Sequence, residues 1–595
     1  MNDFTELSLI EQPAIELYAN LGWDTRDCYS ETFGPNGTLG RETRHDVVLI
    51  PRLRAALQQL NPGLPAASIE EVVEAIARDR SAMHPVHANQ DVWTLLRDGV
   101  KVTVRGDRGD EQTATARVID WNDPANNDYF LASQFWITGE VYSRRPDLVG
   151  FVNGLPLVLV ELKALTKPLR DAYDDNLRDY RETIPQLFWF NAFIMLSNGE
   201  HSLIGTITSQ WEHFAEWRRI SDEDEPPAVS LETMIRGVCD PPRLLDLVEN
   251  FTVFTTVSGK PVKIVAKNHQ YLGVNRAVAA TSRLEEAMGK LGVFWHTQGA
   301  GKSFSMLFFS QKVLRKKAGN WTFVVITDRI ELDDQIYGTF LDAGAVSADD
   351  NVHAESGAHL RKLLAEDHRV VFSLIHKFRS EPGKPYPVLS ERSDIIVMTD
   401  EAHRTQYAEL AMNMRKALPN ASFIAFTGTP LMGSDEKTRE VFGDYISVYN
   451  FQRSIEEKAT VPLYYENRVP EMQLVNEQFN DDLERLLDEA MLDDAQEARL
   501  EKEFAREYHL ITNDSRLDRI AADIVDHYLA RYRASGKLVG RRWWCRSIRR
   551  RQCGCTTRYR STGNGGSSLE SLPSPPASAP RALSDTERES LPTAD

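Results

Sequence analysis

Two groups of residues in this chain could carry chemistry. In the segment RPDLVGFVNGLPLVLVELK, Asp147 precedes Glu161 by fourteen residues and Lys163 follows Glu161 by two. Side chains alternate along a strand, so Glu161 and Lys163 face the same way. Two carboxylates can hold Mg2+ to activate a water and steady a leaving oxygen, while an amine orients the nucleophile or neutralises developing charge. That is the equipment of phosphodiester hydrolysis. An E-x-K triplet also arises by chance, with a salt-bridged surface strand as its ordinary explanation, so the triplet needs context.

The second group begins at HTQGAGKS, residues 296–303, between the apolar run LGVFW and a helix-like apolar run. Strand, glycine loop and helix are the setting a phosphate-binding loop requires. Gly299 and Gly301 let backbone N–H groups face phosphates, Lys302 brings charge to the β and γ phosphates, and Ser303 can hold Mg2+. Thr297 completes the nucleotide-contacting loop. His296 stands where the usual pattern starts with glycine, a tolerable change at a position that only opens the turn. The partner motif is IIVMTDEAH, residues 395–403, an apolar strand ending in acids. Asp400 is placed to hold the Mg2+ shell and Glu401 to activate the attacking water. Thr427, Gly428 and Thr429 in FIAFTGTP offer polar groups at another strand end that could sense the nucleotide. Upstream, Gln270 carries an amide able to read an adenine edge.

Elements must position these groups. LPLVLVELK reads as a buried strand bounded by Asn153-Gly154, inside a first domain over residues 1–215. The charged, proline-containing SDEDEPP at 221–227 reads as a linker, within a connector over 216–260. From 261 to 460 the pattern repeats strand, turn and helix, which predicts a parallel sheet with helices on both faces. Residues 461–540 are charged and helical in pattern. They are expected to bridge toward a further domain.

From Arg541 to Asp595 the composition swings to ten arginines and no lysine, with five acids. Such a tail cannot bury a core and is expected to be disordered. Its abrupt gain of Arg, Trp and Cys is what translation in a shifted frame produces; a basic tail gripping nucleic acid is the alternative. Cys545, Cys553 and Cys555 crowd together there, but four well-spaced ligands for zinc are not assembled.

At 595 residues the chain is multi-domain. Its 42% hydrophobic and 26% charged content is that of globular protein. No apolar run approaches the roughly 18 residues of a membrane span, and the N-terminus lacks a signal-peptide pattern. With few cysteines, these features predict a cytoplasmic protein without a membrane partner. The net charge of −18 argues that other subunits carry much of any DNA contact.

The acids and lysine, with Pro146-Asp147 as the first acid, resemble the PD-(D/E)XK nuclease family. Asn176 and Tyr180 stand where related nucleases show Gln and Tyr, with Asn the departure, and Glu11 or Glu16 is a further candidate for the metal site, although a solvated helix position is the ordinary reading of each. The motor motifs resemble the first RecA-like lobe of a superfamily 2 helicase. That resemblance implies that the further domain would be a second motor lobe, whose motifs are not found before residue 540. In this order, and with WHTQGAGKS, TDRIELDDQI and DEAHRTQY, the chain over residues 1–540 is similar to the restriction (R) subunit of type I restriction-modification systems. The resemblance implies an α/β protein in which a PD-(D/E)XK domain precedes a RecA-like parallel-sheet lobe. It implies ATP and Mg2+ as cofactors, and double-stranded DNA with methyltransferase (M) and specificity (S) subunits as partners. Asp147, Glu161 and Lys163 would cut unmodified DNA away from the recognition site, with Asp147 and Glu161 holding metal. Lys302, Ser303, Asp400 and Glu401 would handle Mg·ATP. A stand-alone repair helicase–nuclease and a non-catalytic truncated remnant are the rival readings.

Overall fold

The computed structural model describes residues 7–105, 111–284, 286–379, 386–400, 407–429, 439 and 441–460, with a few helical positions between 520 and 533. Met1–Pro462 form one compact unit and Leu463–Asp595 a second. The 541–595 tail with its three cysteines, and most of 461–540, lie outside the described residues.

The first unit begins with a mixed sheet. Its strands and their accompanying ribbons are β1 (Asp24–Asp27), the hairpin β2 (Val100–Arg105) and β3 (Glu111–Ala116), β4 (Tyr129–Ser133), the short ribbon β5 (Ile137–Thr138) and β6 (Ser143–Arg144), β7 (Leu148–Val152), β8 (Leu155–Leu162), β9 (Phe193–Ser197), β10 (Ser202–Gly205) and β11 (Ala215–Glu216). Seven of them form one sheet in the order β1-β4-β7-β8-β9-β10-β11. β8 is central, antiparallel to β7 and parallel to β9, and all eight of its residues are buried. A strand covered on both faces should read as a continuous apolar run, and LPLVLVEL does so until Glu161. Asn153 and Gly154 close the β7–β8 hairpin with φ of 50° and 77°, the left-handed pair of a two-residue type I′ turn. The Asn153 amide donates to Val118 O at 2.8 Å and Asn127 Oδ1 at 2.9 Å, fixing the turn.

Helices Leu231–Val238 and Pro241–Asn250 lead from this sheet to the hairpin β12 (Thr252–Val257) and β13 (Lys260–Val265). The hairpin is fastened to the first domain by buried Lys263, whose Nζ donates to Asn89 Oδ1 at 2.9 Å and Asn191 O at 2.6 Å. Burial pushes the Lys263 pKa down to about 7. The acidic stretch read as a linker is instead folded into the unit. Asp222, Glu223 and Asp224 pair with Arg276 of the helix Asn268–Ala280. Glu225 accepts from the backbone of Ile220 and Ser221. Composition suggested solvation, but here the charges have tertiary partners.

The second sheet holds β14 (Lys290–His296), β15 (Thr322–Thr327), β16 (Val370–Leu374), β17 (Ile395–Asp400), β18 (Ser422–Thr427) and β19 (Tyr445–Tyr449), in the order β16-β15-β17-β18-β14-β19 with every pair parallel. Successive residues enter different cores: Val293, Val324 and Val397 one, Phe294, Val325 and Met398 the other. Helix residues Leu360 and Met414 cover the first face, and Met306 and Phe340 the second. That is the two-sided cover a parallel sheet needs. The second of these cores runs on without a break into that of the first domain, through Phe308, Phe251 and Val248.

Candidate functional site

The β7–β8 hairpin sets the nuclease-type site. Leu148 lies opposite Val160, so the register carries Asp147 to a position across from Glu161. Asp147 Oδ2 accepts the Leu162 backbone N–H at 2.8 Å, docking the first acid on the peptide between Glu161 and Lys163. Lys163 Nζ reaches Glu161 Oε1 at 3.2 Å and the Leu162 carbonyl at 3.2 Å. Lys163 N donates to Ser197 O at 2.9 Å, so the parallel neighbour strand holds the backbone beneath the amine.

Glu161 is only 2% exposed. Burial first and the Asp147 charge second push its pKa up to about 8, with Lys163 pulling the other way. Its Oε2 is buried with no hydrogen-bond partner among the described residues. Tyr180 lies close enough to interact with Glu161; burial and the Glu161 charge push its phenol up, while Asn176 acts on it in the opposite sense. Asn176 and Tyr180 are thus brought to the acids. Glu16 is exposed. Glu11 is buried rather than solvated, and both its oxygens accept from Gln134 Nε2, at 2.9 and 3.0 Å. Gln134 N in turn donates to Asp147 O at 2.8 Å, so Glu11 stands one residue removed from the acids.

Among the described residues no group of three or more His, Cys, Asp or Glu is arranged to hold a metal ion. Mg2+ commonly takes one or two carboxylates and fills its other positions with water or phosphate oxygen. Asp147 with the unsatisfied Glu161 Oε2 fits that donor set.

In the motor lobe, β14 ends at His296, Gly299 and Gly301 take φ of 86° and 82°, and the helix Lys302–Lys316 begins at Lys302. Gly301 needs its freedom from a Cβ for the left-handed φ, and a Cβ there would also push on the tip of Gln270, whose Nε2 would lie at 2.7 Å. The loop is braced from several sides. Thr297 N donates to Tyr449 O at 2.9 Å, His269 Nε2 meets Ala300 O at 3.0 Å, and Gln270 Nε2 donates to Gly301 O at 3.0 Å. Gln270 Oε1 accepts from Lys267 N at 2.9 Å. The amide expected to read adenine is therefore engaged with backbone at both ends, and the brace it forms is to the phosphate loop. Lys302 Nζ lies 3.4 Å from His296 O, and Ser303 is half-buried at the helix start.

Asp400 is in register with Phe426, and Phe426 with Phe294, so Asp400 lies at the same edge of the sheet as the end of β14, two residues short of His296. One strand separates them, about 10 Å at ordinary strand spacing. This carboxyl edge is where open parallel sheets take ligands. Between them, Thr427 closes a turn by donating to Thr429 O at 3.1 Å. The oxygen donors Ser303 and Asp400 suit Mg2+. Glu401 lies outside the described residues. Sequence reasoning missed His269, Gln134 and Glu223; the first two are ordinary polar residues without a motif, and Glu223 was hidden in a segment whose composition resembles a linker.

The fold is that of a restriction-enzyme N-terminal domain followed by a helicase-like ATPase lobe. The family profile for the type I restriction enzyme R protein N terminus matches residues 3–213, and that for the SWI2/SNF2 ATPase matches residues 269–498. The chain is 35% identical over 552 residues to the type I restriction enzyme HindI endonuclease subunit of Haemophilus influenzae, covering 88% of this chain and 51% of that protein. It is 30% identical over 553 residues to the MjaIXP endonuclease subunit described for Methanocaldococcus jannaschii, covering 87% and 51%. This chain is a homologue of the endonuclease (R) subunits of type I restriction enzymes. It spans about half the length of the curated relatives it matches. No helix among the described residues is long and apolar enough to cross a membrane.

Proposed function

We propose that this chain acts as the DNA-cutting, ATP-consuming subunit of a cytoplasmic type I restriction-modification system. It works with M and S subunits, which read sequence and methylation, and it cleaves unmodified double-stranded DNA away from the recognition site after translocating it. In this reading residues 1–215 form the nuclease domain, 216–260 the connector and 261–460 the first motor lobe. The observation that carries it is the bond from Leu162 N to Asp147 Oδ2, at 2.8 Å, which brings both acids and Lys163 to one hairpin.

Asp147 and Glu161 hold Mg2+, which when bound supplies a polarised water and charge opposite the leaving oxygen. Lys163 orients the nucleophile and, by neutralising Glu161, favours the ionised state that metal binding needs. Asn176 and Tyr180 border the acids and orient the substrate strand. In the motor, Thr297, Gly299, Gly301 and Lys302 cradle the phosphates, Gln270 braces that loop, and Ser303 and Asp400 hold Mg2+. Glu401 orients the attacking water.

The test is cleavage of unmethylated plasmid by the chain with its M and S subunits, with ATP turnover measured in parallel. The expected result is cutting that requires ATP, Mg2+ and Lys163. A complex that hydrolyses ATP on unmethylated DNA yet leaves it intact overturns the reading.

A further inference from the structure

The acidic segment 221–225 is held far more tightly than a connector requires, and the residue at its centre points into the motor. Glu223 is buried at 6% exposure, and its Oε1 accepts from the Ser447 hydroxyl of β19. Its Oε2 accepts from Val448 N at 3.2 Å and faces Arg276 at 3.4 Å. Ser447 Oγ also lies 2.7 Å from His296 Nε2, at the first position of the phosphate loop.

The protons along this chain can be counted. Burial pushes the Glu223 pKa up, while the bonds from Ser447 and Val448 N and the nearby Arg276 favour the carboxylate. As a carboxylate it only accepts, so Ser447 gives its single proton to Glu223 and receives a hydrogen bond from His296. His296 is thereby fixed as the neutral tautomer with its proton on Nε2. Its Nδ1 is buried without a hydrogen-bond partner among the described residues, which suits a bare lone pair better than an N–H. Burial and the nearby His269 and Lys302 charges hold the His296 pKa well below the usual range, which favours that neutral form.

A second observation is independent of these bonds. Gly273 lies inside the helix Asn268–Ala280, where glycine costs about 1 kcal/mol relative to alanine. A Cβ there would meet Ser447 Oγ at 2.5 Å, Phe294 Cε2 at 2.9 Å and Glu223 Oε1 at 3.0 Å. The helix forgoes a side chain at the one place where the hydroxyl and carboxylate need room.

We propose that Glu223 is a positioning residue for the phosphate loop, acting through Ser447 and His296, so that the segment following the nuclease domain sets the geometry in which Lys302 meets nucleotide. This rests on the ATP-site reading above. The route to Lys302 is short: the residue whose ring Ser447 anchors supplies the carbonyl lying 3.4 Å from Lys302 Nζ. Glu223→Gln keeps the shape but turns one oxygen into an N–H donor, which cannot accept from both Ser447 and Val448.

The experiment measures Mg·ADP affinity by titration calorimetry, steady-state ATP hydrolysis and thermal unfolding on the full chain. Glu223→Gln and Ser447→Ala are each expected to weaken Mg·ADP binding and raise KM for ATP about tenfold, the scale of one charge-assisted hydrogen bond, with kcat changed less. The double variant should be no weaker than either single one, because the two residues act in series. His296→Gln, which retains an N–H in place of Nε2–H, should recover most of what His296→Leu loses. If Glu223→Gln does not fold, Ser447→Ala and the His296 pair decide the matter. Folded variants with a lower melting temperature but unchanged affinity and KM overturn the proposal, as do additive effects in the double variant. If Mg·ADP fails to bind the unaltered chain, the ATP-site reading falls and this proposal with it. If the unaltered chain binds and Lys302→Ala does not, a null result in the variants counts against the proposal alone.

Discussion

The two sites are built on opposite plans. The nuclease-type site comes from one hairpin: Asp147, Glu161 and Lys163 sit within seventeen residues, and a single backbone bond docks one acid beside the other. The motor site is assembled from strands that neighbour one another only after crossovers, with Asp400 on β17 and the phosphate loop after β14 separated by β18. The first is dry at Glu161, which burial forces toward its neutral form. The second leaves Gly299 exposed and Lys302 half-buried at a sheet edge. A local site depends on the turn that folds it, whereas a dispersed site depends on braces such as His269 and Gln270.

The sharpest way to break this contrast is to disable each site separately. Lys163→Ala should reduce plasmid cutting by about a thousandfold, the loss expected for a group acting on developing charge, and leave ATP turnover within about twofold. Lys302→Ala should abolish both activities. Equal loss of both in the Lys163 variant would mean the sites are not separable.

A smaller effect, of distinctive sign, is expected at Glu161. Its folded-state pKa of about 8 lies above the usual carboxylate value, so between about 4.5 and 8 the folded chain holds more protons than the unfolded one. Stability without metal should therefore fall as pH rises through that window. Glu161→Gln should remove this dependence and raise the melting temperature at pH 8 while eliminating cutting. A variant melting curve with the same pH slope as the unaltered chain would contradict the burial argument.

The hairpin turn gives the next test. Gly154 has φ of 77°, and a Cβ would approach Leu49 O to 2.5 Å, so Gly154→Ala should cost about 2 kcal/mol in a thermal or urea unfolding series. Cutting should fall with it and ATP turnover should hold, since the turn positions only the nuclease-type acids. Least is expected of Gln270→Ala, a weakening of ADP binding by about five- to tenfold from one lost loop brace, with cutting affected only through ATP.

Much of this was legible in the chain. LPLVLVELK announced a buried strand because eight buried positions in a row must be apolar except where function places a charge, and Asn153-Gly154 announced its turn. HTQGAGKS and IIVMTDEAH carried enough local pattern to predict a parallel sheet. SDEDEPP misled because composition reports solubility and not partners; Arg276 and Ser447, which bury and pair those acids, lie more than fifty residues away. Glu11 misled for the same reason, since an acid on an amphipathic helix reads as solvated until Gln134 is seen beside it. Gln270 was found by motif, but what its amide touches depends on a loop thirty residues on.

The sequence by itself determined the β7–β8 hairpin and the glycine turn after β14, because each is set by residues close along the chain, and it displayed the order of the two domains directly. Only the tertiary structure decided that burial would push the Glu161 pKa up to about 8, that Asp400 would come to the same sheet edge as the phosphate loop, and that an acidic connector would reach into the motor. Each of those follows from burial and pairing between distant segments, and dielectric surroundings and strand order are properties of the packed molecule that local composition does not encode.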